Sequence, residues 1–205
     1  MRTSARDESS SPPVLVEERD RLAVVRINRA AQRNSLSVAT LDELEQAFVH
    51  LTQNDRAEAV IFTGTGDVFA SGADIRELRA LTPDSASEFA ARGQRLLNLI
   101  ADARRLTIAA VNGYCMGGGL DLALSCRLRV ASPRAVFAHP GARLGIITGW
   151  GGTQRLPQLV GTARALEMFT TARRVNADEA LEIGLVSRVH ADPLACALEL
   201  ATRFV

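Results

Sequence analysis

Apolar positions recur along this chain with two different periods. Val14–Glu18 and Leu22–Ile27 are short runs rich in β-branched residues on either side of Arg19-Asp20-Arg21, which predicts a hairpin. After Ser37, the residues Leu41, Leu44, Phe48 and Leu51 recur at steps of three and four, predicting a helix that Ser37 caps. Ala57–Thr63 is a continuous apolar run of strand length, followed by the turn Gly64-Thr65-Gly66. Phe89, Leu96, Leu97 and Ile100 form the stripe of a long helix from about Asp84 to Arg104. Thr107–Val111 predicts another strand and Gly118–Cys126 a helix, and Leu128–Ala131 and Ala135–Ala138 predict strands around Ser132-Pro133.

Beyond Gly149 the helical period dominates, over Gly152–Leu159, Ala163–Thr171 and Ala177–Ile183. A short strand, Val186–Val189, and a final helix, Pro193–Val205, complete the pattern. Strands alternating with helices predict an α/β class, in one domain spanning 14–205. Met1–Pro13 is Ser-rich, mixed in charge and closed by Pro12-Pro13. It reads as a flexible N-terminal tail, and Asp7 and Glu8 argue against an organellar transit peptide.

Charge narrows the function classes. A net charge of +1 over 205 residues makes no electrostatic case for nucleic acid or an anionic membrane. No apolar stretch approaches the length of a membrane span. All 24 basic residues are arginine, so Schiff-base lysine chemistry is excluded and any cationic phosphate contact falls to a guanidinium. Cys115, Cys126 and Cys196 are odd in number and lack metal spacing, and His50, His139 and His190 are scattered. The expectation is a reduced, cytoplasmic setting with no metal site.

Two segments carry the candidate chemistry. Phe69-Ala-Ser-Gly-Ala-Asp-Ile-Arg-Glu-Leu78 and Val111-Asn-Gly-Tyr-Cys-Met-Gly-Gly-Gly-Leu-Asp121 each run from an apolar strand through small residues into a helical pattern. Small residues let a reacting carbonyl approach the main chain, and N–H groups at helix starts stabilise an oxyanion. Gly64-Thr65-Gly66 has half of a dinucleotide fingerprint, but Phe69 stands where the third glycine belongs, so it reads as a tight turn.

The motifs FASGADIREL, NGYCMGGGLDLALSC and HPGARLGIITGWGGTQRLP, in this order, resemble the enoyl-CoA hydratase/isomerase (crotonase) superfamily, with similarity from about Val14 to Val189. The resemblance implies a spiral of ββα turns, subunits assembled as homotrimers or hexamers, a CoA thioester substrate and no separate cofactor. It places the thioester oxygen between the backbone N–H groups of Ala73 and Gly118, both expected to begin helices. It implies CoA or substrate contacts at Ala31, Gln32, Arg33, Ser35, Ser71, Asp74, Ile75 and Arg76. It further implies contacts at Tyr114, Gly117, Pro140, Gly141 and Leu144, and Trp150 in the acyl-pocket wall. Relatives also continue past the region matching Val189 into a helical group that supports the trimer, and the expectation is that this segment is largely absent here.

Departures from that pattern decide the chemistry. Hydratases that resemble the chain activate water with two glutamates. Here the first position is Asp121, one methylene shorter, and the second, after His139-Pro140, is Gly141. Asp121 is therefore the main proton-transfer candidate, and also a residue that suits a helix start. His139 could orient substrate, donate a proton or simply pack at a strand end. A one-carboxylate double-bond isomerisation, a hydration completed by another group over Gly141, decarboxylation of a malonyl-type thioester and carbon–carbon bond formation all remain open. So does a non-catalytic acyl-CoA-binding or assembly subunit.

Overall fold

The computed structural model describes residues 12–53 and 56–205, so nearly all of the expected tail lies outside the described residues. Strands β1 (Val14–Arg19) and β2 (Leu22–Ile27) pair antiparallel as the expected hairpin. Pro13 belongs to this edge, because its carbonyl accepts the Asn28 N–H at 2.7 Å. Next come β3 (Ser35–Leu36) and helix α1 (Val38–Gln53), where the Ser37 hydroxyl accepts the Thr40 N–H as a cap. β4 (Ala59–Gly64), β5 (Val68–Ala70) and β6 (Gly72–Ala73) lead into the short α2 (Ile75–Ala80) and the long α3 (Pro83–Ala101). Thr82 caps α3 in a capping box with Ser85, so the helix begins just before the expected start, and it ends at Ala101, just before the expected end.

β7 (Leu106–Val111), β8 (Tyr114–Met116) and α4 (Gly118–Ser125) repeat the same motion. β9 (Leu128–Ala131) and β10 (Val136–Ala138) start a third pass, closed by a 3-10 turn over Pro140–Leu144. The remainder is α5 (Gly152–Val160), α6 (Thr162–Thr171), β11 (Val175–Asn176), α7 (Ala177–Glu182), β12 (Arg188–Val189) and α8 (Pro193–Thr202). β3, β5, β6, β8 and β11 were not expected as strands, being two or three residues long and too short to carry a period.

The strand order explains these extra pieces. One sheet runs β1-β2-β4-β7-β9-β12, a second runs β11-β10-β8-β5, and β3 pairs with β6 apart from both. Each pass thus gives one strand to the large sheet and the next to the small one, before a helix returns the chain. This is the expected spiral of ββα turns, with parallel pairing from β2 through β12.

Both faces of the large sheet are covered, which is why its strands read as continuous apolar runs. Val25, Val60, Phe62, Ala109 and Val111 face the main core, together with Leu44 and Phe48 of α1. Val24, Ile61, Ile108 and Val130 face the other way, where Cys196, Ala197 and Ala201 of α8 cover them. The ends of β5, β6 and β8 meet beside this rigid layer.

Candidate functional site

The two glycine-bearing segments converge. Gly72 has φ +96°, and a β-carbon there would lie 2.9 Å from the Met116 carbonyl and 3.1 Å from the Gly118 nitrogen. Only glycine permits both this conformation and this approach. Gly117, at φ +52°, turns β8 into α4 while its N–H donates to the Ala138 carbonyl at 2.9 Å. No side chain caps α4, so its first N–H groups, Gly118 foremost, stay available at the positive end of the helix.

Ala73 is positioned differently from expectation. It ends strand β6 rather than beginning a helix, and Asp74 is the cap of α2. β3 and β6 run parallel, and the Asp74 N–H donates to the Leu36 carbonyl. Successive N–H groups of a strand point to opposite sides, so the Ala73 N–H is directed away from β3. The dipole argument therefore holds for Gly118 and not for Ala73.

Ala73, Gly117 and Gly118 line an open cavity of about 270 Å3. Ser71, Ile75, Pro140, Gly141, Leu144, Trp150 and Asp121, all candidates named from the sequence, line it too, and so does His139. Leu78, Phe89, Ile146, Ile147 and Thr148 join them without having been singled out. The wall is mostly apolar, and Ile75, Leu144, Ile146 and Ile147 are each about half exposed or more at its mouth.

Asp121 sits in the first turn of α4, fully buried, with its N–H bonded to the Gly117 carbonyl. Its Oδ2 accepts the Thr148 hydroxyl. Its Oδ1 lies 3.3 Å from His139 Nε2 without the alignment of a hydrogen bond, and both atoms are left without a partner. Burial pushes the Asp121 carboxyl up to about 7, against the opposing pull of Thr148 and Arg155. Burial also pushes His139 down to about 4. Both shifts favour the neutral form, so this contact is a neighbouring pair rather than an ion pair.

The surroundings leave the carboxyl little room. A β-carbon on Gly152 would stand 2.1 Å from Asp121 Oδ1, so the glycine at the start of α5 is what admits it. Thr148 lies 27 residues beyond Asp121 on an irregular loop, with no periodic signal to mark it.

Trp150 is almost fully buried, with its indole wedged between two helices. A β-carbon on Gly93 of α3 would lie 2.3 Å from its Nε1, and one on Gly118 the same distance from its Cζ3. Phe89 packs on the ring at 5.5 Å between centroids. Trp150 is thus both core and cavity wall, beside the Gly118 nitrogen.

Gly141 does not open a vacant space. A β-carbon there would meet the Ile146 carbonyl oxygen at 2.6 Å, since the loop folds back and the Ile146 N–H donates to the Gly141 carbonyl at 3.0 Å.

Several expected contacts fall outside the cavity. Asp74 turns inward: it accepts the Arg76 N–H as a helix cap, is gripped by the Arg76 guanidinium at 2.9 and 3.1 Å, and accepts the Ser35 hydroxyl at 3.1 Å. Arg29 donates in turn to Ser35 Oγ at 2.9 Å. The Arg76 guanidinium holds the Asp74 carboxyl well below the usual carboxylate range, against the cost of burial. The Ser35 and Asp74 side chains are therefore structural here, because each already has its partners. Ala31 and Gln32 are exposed on a 3-10 turn with Arg33 just after it, and the Arg33 guanidinium lies 5.4 Å from the centroid of the Tyr114 ring. Tyr114 thus meets Arg33 instead of the cavity. Among the described residues no group of three or more His, Cys, Asp or Glu could hold a metal ion.

The same architecture recurs in known proteins. The family model for enoyl-CoA hydratase/isomerase matches residues 17–203. The crotonyl-CoA hydratase of Syntrophomonas wolfei is 44% identical over 86% of this chain and 68% of its own length. The short-chain-enoyl-CoA hydratase of Clostridium acetobutylicum is 38% identical over 94% of the chain and 75% of its length. Among solved structures, the enoyl-CoA hydratase of Bacillus anthracis superposes with a TM-score of 0.89 at 34% identity, covering 94% of this chain and 76% of that one. DspI of Pseudomonas aeruginosa gives 0.90 at 36% identity, covering 98% and 83%. The ββα spiral, the paired glycine segments and these matches agree: the chain belongs to the enoyl-CoA hydratase/isomerase family and is an acyl-CoA thioester enzyme with the crotonase fold.

Proposed function

We propose that the chain transfers a proton at the α-carbon of an enoyl-CoA thioester, hydrating or shifting its double bond through an enolate. The thioester oxygen is held by the Ala73 and Gly118 N–H groups. Preorganised donors of this kind act where charge develops in the transition state. Asp121 takes and returns the proton. The observation that carries the reading is Asp121 itself, a carboxyl in the cavity wall one helical turn from Gly118, with its proton affinity raised to about 7. A group poised near the operating pH can act as acid and as base.

The substrate's CoA moiety is the only cofactor-like group the reading requires. Homotrimers or hexamers follow from the family resemblance. The three cysteines, all free and buried, suit a reducing, cytoplasmic setting. No described helix is long and apolar enough to cross a membrane.

The test is turnover of crotonyl-CoA and of a 3-enoyl-CoA by the purified chain and by Asp121→Asn. Turnover of either by the wild type, with kcat lowered about 10²–10⁴-fold in the variant and CoA-ester binding retained, supports the reading. An Asp121→Asn enzyme with unchanged kcat overturns it.

A further inference from the structure

A buried polar atom without a partner costs about 1–3 kcal/mol, and native structures keep few of them. Two such atoms belong to residues of this cavity's wall. Asp121 Oδ1 and His139 Nε2 stand 3.3 Å apart, both buried, both on cavity-lining residues and both without a hydrogen-bond partner. The other carboxyl oxygen is already taken by Thr148, so Oδ1 is the one left for a ligand. The His139 ring is braced from behind by Phe169, with centroids 4.9 Å apart.

One small group that both donates and accepts would satisfy the two atoms together. A thioester oxygen only accepts. A water molecule does both, and its two to four hydrogen bonds suit such a pair.

We propose that Asp121 Oδ1 and His139 Nε2 hold between them the water that adds to the enoyl-CoA, His139 doing the holding that Gly141 has no side chain to do. This rests on the enolate reading above. The water oxygen bonds to C3, and the C2=C3 π pair moves to form the C1–C2 double bond of the enolate. The carbonyl pair moves to the thioester oxygen, which Ala73 and Gly118 hold. The water gives its proton to the Asp121 carboxylate. As the enolate collapses, C2 takes that proton back and the carbonyl re-forms. One enoyl-CoA and one water become one 3-hydroxyacyl-CoA, Asp121 returns ionised, and His139 stays neutral throughout.

The experiment compares two rates in each variant: hydration of crotonyl-CoA, and exchange of the C2 hydrogens of butyryl-CoA with deuterated water. Exchange needs the backbone donors and Asp121 but no water addition. In His139→Ala the hydration-to-exchange ratio should fall about 10²-fold. His139→Gln, whose amide nitrogen reaches near the Nε2 position, should recover at least about tenfold of that, and the shorter His139→Asn should not.

An unchanged ratio in His139→Ala overturns the proposal, as does an equal loss of both rates. Should the alanine variant fail to fold, the contrast between Gln and Asn decides, and equal ratios overturn it. Wild-type exchange without hydration removes the water site and leaves the enolate reading standing. Absent wild-type exchange, or exchange unaffected by Asp121→Asn, removes the enolate reading and the water site with it.

Discussion

Gly118 packs against the face of Trp150 so closely that a β-carbon on the glycine would stand 2.3 Å from ring atom Cζ3. The same contact brings the indole beside the nitrogen proposed to hold the thioester oxygen. Any side chain at 118 therefore tests packing and chemistry together, and the two must be separated.

Gly118→Ala adds the clash but keeps the N–H, whereas Gly118→Pro adds a β-carbon and removes the N–H. Proline at the first helical position is otherwise well tolerated. Both variants should lose about 1–3 kcal/mol of stability by denaturant titration, from overpacking against Trp150. Activity in the proline variant should lie about 10²–10³-fold below the alanine variant, since one donor is gone. Equal activities would remove Gly118 from the oxyanion site. Trp150→Phe relieves part of the clash, so its combination with Gly118→Ala should lose less stability than the two single losses added.

Asp121 and His139 should produce opposing pH dependences of stability. The folded-state value of Asp121 is raised to about 7, so between about pH 4 and 7 the native state holds a proton the unfolded chain has lost, and stability falls as pH rises. His139 is lowered to about 4, so between about pH 4 and 6.5 the native state lacks a proton the unfolded chain holds, and stability rises with pH. Each slope reaches at most about 1.4 kcal/mol per pH unit, and in the wild type they largely cancel. Melting temperature against pH should rise through this window in Asp121→Asn and fall in His139→Gln. Parallel curves for the two variants would contradict the assignment.

Asp74→Ala should destabilise the chain without emptying the cavity. It removes the cap of α2 and leaves Ser35 and Arg29 without their buried acceptor. Arg76 is mostly solvent-exposed, so its pairing counts for less, and the expected loss is about 2 kcal/mol by urea titration. Acyl-CoA affinity should change much less than stability. The Arg76 partnership and backbone bond keep Asp74 ionised in the folded state, so its contribution is present above about pH 4 and is lost as pH falls into the acid range.

Gly141→Glu tests whether a second carboxylate can simply be restored. Its β-carbon would meet the Ile146 carbonyl oxygen at 2.6 Å, which is backbone and cannot swing aside. The variant should lose about 1–3 kcal/mol and show no gain in crotonyl-CoA hydration. A faster, equally stable enzyme would show that the Pro140–Leu144 turn yields readily.

Much of this molecule was legible in its sequence because burial leaves a local record. Continuous apolar runs marked the strands of the two-sided sheet, and helical stripes marked α1 and α3. Gly117 and Gly118 stood out as small residues that let a carbonyl approach the main chain, and Asp121 because the resembling hydratases carry a glutamate at its position. The convergence of these residues left no such record. That Ala73 lies on a strand depends on pairing with β3, formed by residues almost forty positions earlier. Thr148, His139 and Gly152 meet around Asp121 only because the loop after β10 folds back over α4. Ser35 and Asp74 had the right identity for a ligand contact, yet tertiary packing gave them to each other. The sequence by itself determined which segments are buried, which backbone stretches are bare and which carboxyl is available. Only the tertiary structure decided their partners, because a partner is set by the path of the whole chain and the steric fit where distant segments touch.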